Sequence, residues 1–176
     1  MDVTDAIRTR LDIRDYAEES VPTDTKRAIL EAGRLASSGR NLQHWDFVLL
    51  QDPSDLDRLA AMSPTGQWVG DADFAIVVLT DPSYDFHEID AGRALTYMQL
   101  EAWDRGVASG IYTEPDESAI REFLDYPESL TTTLVAGFGY PTKPVESFEG
   151  RKDREPLSSV AHLGRYGRDP PDPAGK

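Results

Sequence analysis

The chain has 176 residues, enough for a single domain with a sizeable core. Apolar residues make up 39%, no apolar run reaches the length of a membrane span, and Cys is absent; a membrane helix, disulfides, thiolate metal sites and cysteine nucleophiles are therefore excluded. Asp and Glu total 32 against 18 Lys and Arg, a net charge of -14, which repels nucleic-acid backbones and anionic membrane surfaces.

Only four of the basic residues are lysines (Lys26, Lys143, Lys152 and Lys176), and Asn41 is the single asparagine. An acidic, lysine-poor surface suits a high-salt cytoplasm, where screening confines charge repulsion to about 3 Å at 1 M. The first residues, MDVTDAIRTRLDIRDY, lack the basic-then-apolar layout of a signal peptide. The expectation is a halophilic, cytoplasmic protein with no nucleic-acid or membrane partner.

In chain order, residues 4–10 can form a short helix. Pro22 breaks the chain, and Thr23 is expected to cap a helix over 24–36 with Ala28, Ile29, Ala32, Leu35 and Ala36 on one face. The polar stretch 37–44 reads as a loop and 45–51 as a strand. Asp52, Pro53 and Ser54 make a turn and cap for a helix over 55–61. Residues 73–80, a continuous apolar run, predict a central strand. A long helix over 87–105 follows, with Ile89, Ala91, Ala94, Leu95, Met98, Ala102 and Trp103 at helical spacing, ended by Gly106. Residues 107–112 predict a strand, 117–124 an acidic helix stopped near Pro127, and 131–141 a strand entering a Gly/Pro turn. The composition of 168–176 predicts disorder. Strands alternate with helices, so the class is mixed α and β.

Several familiar motifs fail. Gly137 and Gly139 follow a strand as a dinucleotide loop should, but Thr142 stands in the third glycine position and Pro141 and Pro144 forbid the helix. No phosphate-binding GxxxxGK[ST] occurs, and Ser109 is one residue out of register for a G-x-S-x-G elbow. His44, His87 and His162 fit no metal-ligand spacing and read as surface or packing residues. No metal site is expected.

Five segments remain. They are Arg10-Leu11-Asp12-Ile13-Arg14, Ala36 to Trp45 (ASSGRNLQHW), the Gly106–Tyr112 strand after the long helix, Gly139-Tyr140-Pro141, and Lys152-Asp153-Arg154-Glu155-Pro156-Leu157. In order and spacing the chain resembles the nitroreductase family of FMN-dependent oxidoreductases. The family motifs are R-x-S-x-R, A-P-S-S-x-N-x-Q-P-W, a Gly-rich strand, G-Y-P and K-x-R-x-P-L. Here Asp12 stands for the common Ser, Ser37 and His44 replace the two prolines, and Gly39 replaces the second Ser. The resemblance implies one domain over residues 1–167 and an α+β fold, with a central mixed, mainly antiparallel sheet flanked by helices. It also implies an intertwined homodimer with the flavins at the interface, for which the helix at 87–105 is the candidate core.

The resemblance also implies site residues. Arg10 and Arg154, with Lys152, would hold the FMN phosphate, since guanidinium groups bind phosphate bidentately and Lys adds a point charge. Asp12 would offer its backbone N–H or orient an arginine, with Leu11 between them. Arg14 would reach the pyrimidine edge of the ring, where a cation stabilises the reduced flavin. Ser38, Gly39, Asn41 and Gln43 form a loop of neutral donors and acceptors suited to that edge, reaching the partner subunit's flavin; ordinary turn chemistry is the competing reading. Ser109 and Gly110 would let backbone approach the ring, or form a plain strand. No catalytic acid or base is required.

The implied activity is hydride transfer from NADH or NADPH through FMN to a small acceptor, such as a nitroaromatic or a quinone, with ping-pong kinetics. The absence of a Lys/Arg cluster for a 2′-phosphate favours NADH. The alternatives are a specialised flavin enzyme of the same fold, dehalogenating or flavin-fragmenting, and a flavin-binding module without turnover.

Overall fold

The computed structural model describes residues 1–144 and 153–169. Four strands form one sheet in the order β1-β2-β4-β3: β1 (Trp45–Leu50), β2 (Phe74–Thr80), β3 (Ala108–Tyr112) and β4 (Thr131–Gly139). All three strand pairs are antiparallel. The segment after the first helix adds a parallel contact to the free edge of β3, through Asp12 and Ser109. The sheet is therefore mixed and mainly antiparallel.

All seven residues of β2 are buried, as its unbroken apolar run requires. It is central because β1 and β4 flank it and helices cover its two faces. One face packs Phe74, Ile76, Val78, Ala136 and Phe138 against α2 (Thr23–Arg34) and α4 (His87–Asp104). The other face packs Ala75, Val77, Leu79 and Val135 against α3 (Pro53–Ala60) and α5 (Glu117–Leu124). Asp52 caps α3 and Asp116 caps α5, each accepting a backbone N–H of the first turn. Gly106 takes φ +76 just past α4, a conformation available to glycine without strain, so the chain turns into β3.

Three expectations are corrected. Thr23 is the first residue of α2, not its cap; Pro22 occupies the cap position without a side-chain bond, and its fixed φ starts the helix instead. Leu35 and Ile89 are exposed, unlike the neighbours they were grouped with: Leu35 lies just past the end of α2, and Ile89 in the first turn of α4 faces away from the sheet. Three short elements carried no periodicity: 3₁₀ turns over Gly39–Asn41 and Gln67–Asp71, and α6 (Leu157–Val160). Of the tail expected to be disordered, residues 170–176 lie outside the described residues.

Candidate functional site

The first part of the site is built by α1 (Val3–Thr9) and the extended residues after it. Arg10 closes the helix by donating its N–H to the Ala6 carbonyl. The chain then runs beside β3, with the Ile13 N–H bonded to the Ser109 carbonyl at 3.0 Å. Extended backbone alternates its side chains. Leu11 and Ile13 enter an apolar cluster with Ala6, Tyr16, Trp103 and Ala108, leaving Arg10, Asp12 and Arg14 on the opposite side.

Those three residues have partners within the chain. Arg10 Nη2 donates to Asp12 Oδ1, so Asp12 orients an arginine. Among the described residues, Arg10 Nε is buried with no hydrogen-bond partner. Arg14 Nη2 donates to the Ile111 carbonyl at 3.1 Å, and its guanidinium lies 5.1 Å from the Trp68 ring centroid, a cation–π contact.

Gly110 and Ser109 also have uses within the chain. A Cβ on Gly110 would lie 2.9 Å from Arg14 Cγ and 3.1 Å from Trp68, so the missing side chain admits Arg14. Ser109 is buried, and its hydroxyl accepts from Gln99 Nε2 at 3.2 Å. What β3 can offer a ligand is therefore its backbone. Behind it, Tyr16 donates to the Gly137 carbonyl at 3.0 Å. Burial raises the Tyr16 pKa far above the ordinary phenol value.

The second part is the loop before β1. The N–H groups of Asn41 and Leu42 bond the Ser38 and Gly39 carbonyls, and the Gln43 N–H bonds Ser38 Oγ at 3.0 Å. Gln43 Nε2 donates to the Asn41 carbonyl at 3.3 Å. Arg40, Asn41 and Gln43 all have positive φ. The Asn41 and Gln43 side chains are exposed, so their amides are available. The Gly39 N–H reaches Asp90 Oδ2 at 2.8 Å.

Within one chain the fold brings together Arg10, Leu11, Asp12, Arg14, Ser109 and Gly110. The Ser38–Gln43 loop stands at the opposite part of α4: it contacts Asp90 in the first turn, whereas Ser109 contacts Gln99. Arg154 is exposed, and among the described residues it donates to the Asp153 carbonyl. No contact joins it to Arg10 among the described residues, and Lys152 lies outside them. Sequence reasoning missed Asp90 and Gln99. For Asp90 a signal existed: it precedes Ala94 and Met98 by one and two turns, so a carboxylate occupies the apolar face of α4.

A model of the "Nitroreductase family" matches residues 7–64 and 61–140. This chain belongs to the nitroreductase family. It is thus one of that family's oxidoreductase enzymes. An Archaeoglobus fulgidus protein provisionally named NADH dehydrogenase/NAD(P)H nitroreductase is 32% identical over 152 residues, covering 81% of this chain and 87% of the relative. A Methanothermobacter thermautotrophicus protein with the same provisional name is 30% identical, covering 81% and 79%. A crystal structure of a nitroreductase family protein from Clostridium difficile 630 superposes with a TM-score of 0.82 at 25% identity, covering 94% of this chain and 99% of that one. An FMN-dependent nitroreductase from Clostridium difficile R20291 shares the fold at TM-score 0.76 and 24% identity, covering 87% and 98%. The α+β nitroreductase fold therefore spans nearly the whole chain.

Proposed function

We propose that this nitroreductase-family enzyme binds FMN and transfers reducing equivalents from NAD(P)H to a small organic acceptor, working as a homodimer. The observation that carries the reading is the Arg10-Asp12-Arg14 face laid along β3, where a buried Arg10 Nε has no partner among the described residues. A buried guanidinium N–H left unmatched is costly, and a phosphate oxygen is an acceptor that suits it. The donor set fits FMN: two guanidinium groups for its anionic end and its electron-rich edge, and neutral amides for the pyrimidine edge.

Arg10 would bind the phosphate, held in place by Asp12, and the C-terminal pair Lys152 and Arg154 would add charge from the other end of the chain. Arg14, fixed between the Ile111 carbonyl and Trp68, would lie against the ring edge and stabilise added negative charge. Asn41 and Gln43 would reach the flavin of the partner subunit, which accounts for their distance from Arg14 within one protomer. FMN, when bound, supplies the two-electron chemistry between NAD(P)H and the acceptor. The chain's part is position, charge and exclusion of water.

The experiment is an absorption spectrum of the pure protein with FMN, then anaerobic NADH titration and reoxidation by menadione or nitrofurazone. A bound flavin that bleaches with NADH and recovers with acceptor is expected. Bleaching without recovery would point to a specialised acceptor such as a halogenated aromatic. A bound flavin that NADH leaves oxidised would leave a binding module, and a protein that never takes up FMN would sink the proposal.

A further inference from the structure

Asp90 is a buried carboxylate outside the flavin-facing set. It is fully buried in the first turn of α4, where an unpaired charge would be strongly unfavourable. Three donors satisfy it: Oδ2 accepts the Gly39 N–H at 2.8 Å and His44 Nε2 at 3.2 Å, and Oδ1 accepts Arg93 Nη1 at 3.0 Å. Two of the three belong to the Ser38–Gln43 loop or its immediate end. One carboxylate oxygen thus grips that loop on either side of Arg40, Asn41 and Gln43.

The gripped residues are the ones that need holding. Arg40, Asn41 and Gln43 have φ of 53, 59 and 50. Asn tolerates the left-handed region, but Arg and Gln seldom enter it, and such conformations persist where the surroundings over-determine them. His44 supports the grip through its ring, stacked on Tyr84 at 4.9 Å between centroids and 25° between planes. A carboxylate only accepts, so His44 Nε2 carries a proton, while Nδ1 is buried with no partner among the described residues. His44 stands where the family motif has proline, which has no side-chain donor.

We infer that Asp90 and His44 are positioning residues that hold Arg40, Asn41 and Gln43 in the left-handed conformations needed to present the loop's amides to flavin. The flavin consequence rests on the function proposed above; the hold on the loop does not. His44→Phe keeps a flat ring beside Tyr84 and removes the donor. His44→Gln keeps a donor near the Nε2 position and removes the ring. Asp90→Asn offers one acceptor and one donor where three donors converge, so at least one pair becomes donor against donor.

The test measures amide hydrogen exchange of residues 39–43 in flavin-free protein, and FMN affinity and the bound flavin's reduction potential in loaded protein. His44→Phe and Asp90→Asn are expected to speed exchange of the loop and to weaken FMN binding about tenfold, the scale of one charge-assisted hydrogen bond, with a shifted potential. His44→Gln is expected to restore all three toward wild type. Should Asp90→Asn fail to fold, the two His44 variants decide. Wild-type loop exchange in His44→Phe would overturn the inference, as would His44→Gln behaving like His44→Phe, because a restored donor would then fail to restore the hold on the loop. Faster loop exchange in a protein that never binds FMN would uphold the hold on the loop while removing the flavin reading.

Discussion

Arg10 is the residue on which the flavin reading is most exposed to test. Asp12 occupies one of its terminal nitrogens, and its buried Nε has no partner among the described residues. Losing a charged hydrogen-bond donor to phosphate is expected to cost about 1.5–3 kcal/mol of binding. Arg10→Ala and Arg154→Ala should each weaken FMN binding by that amount in fluorescence titration, and unchanged affinity in both would remove the phosphate assignment. The motif spacing made Arg10, Asp12 and Arg14 legible, because extended backbone puts alternate residues on one side. It could not reveal that Gly110 serves to admit Arg14, or that the Ser109 hydroxyl belongs to Gln99. Those contacts join residues far apart in sequence that no local pattern pairs.

Tyr112 gives a second test at this scale. Its hydroxyl donates to the Leu59 carbonyl at 2.8 Å, and burial pushes its pKa from the ordinary value near 10 up to about 12. The folded protein keeps a proton that the unfolded chain releases, so stability is full below about pH 10 and is lost as pH rises towards about 12. Tyr112→Phe should flatten the fall in urea-unfolding free energy across that window. Since the substitution also removes a hydrogen bond, the slope is the measurement that counts, and an unchanged slope would show that Tyr112 does not titrate there.

Among the elements, α4 and β2 were the most legible, because their apolar patterns are long and dictated by burial. The join between α2 and the sheet was not. Lys26 Nζ lies 2.7 Å from Asp73 Oδ2 and 5.1 Å from the Phe74 ring centroid, with both charged side chains largely buried. Asp73 Oδ2 receives no well-aligned hydrogen bond, so the contact is chiefly one of charge. Breaking it from one side strands a buried charge. Lys26→Met should therefore cost about 3–5 kcal/mol, and adding Asp73→Asn should recover much of it. Chemical denaturation of the single and double variants checks this; a double variant no more stable than Lys26→Met would show that Lys26 acts through packing alone. A lysine and an aspartate 47 residues apart look like ordinary surface charges in a chain with 50 charged residues, 18 basic and 32 acidic.

The whole molecule presents a contradiction that a second copy and salt would resolve together. Residues 153–169 are exposed apart from half-buried Ala161, yet they carry Leu157, Val160, Leu163 and Tyr166, the last 91% exposed. Met1, Val3, Leu35 and Tyr97 also line an open apolar groove between α1, α2 and α4. Apolar surface of this extent marks an interaction site, and a homodimer would cover it while bringing Arg154 and the Asn41 loop to a flavin. Association, however, sets a net charge of -14 against another of -14. Such repulsion reaches about 30 Å at 0.01 M salt and only about 3 Å at 1 M, whereas apolar burial carries no charge for salt to screen. Light scattering should therefore give about twice 19.6 kDa in about 2 M KCl, and a falling mass with release of FMN at about 0.01 M. A monomer at both salts would remove the dimer. A full-mass, flavin-loaded dimer at low salt would keep the dimer and remove the halophilic adaptation, because an interface that holds unscreened does not depend on high salt.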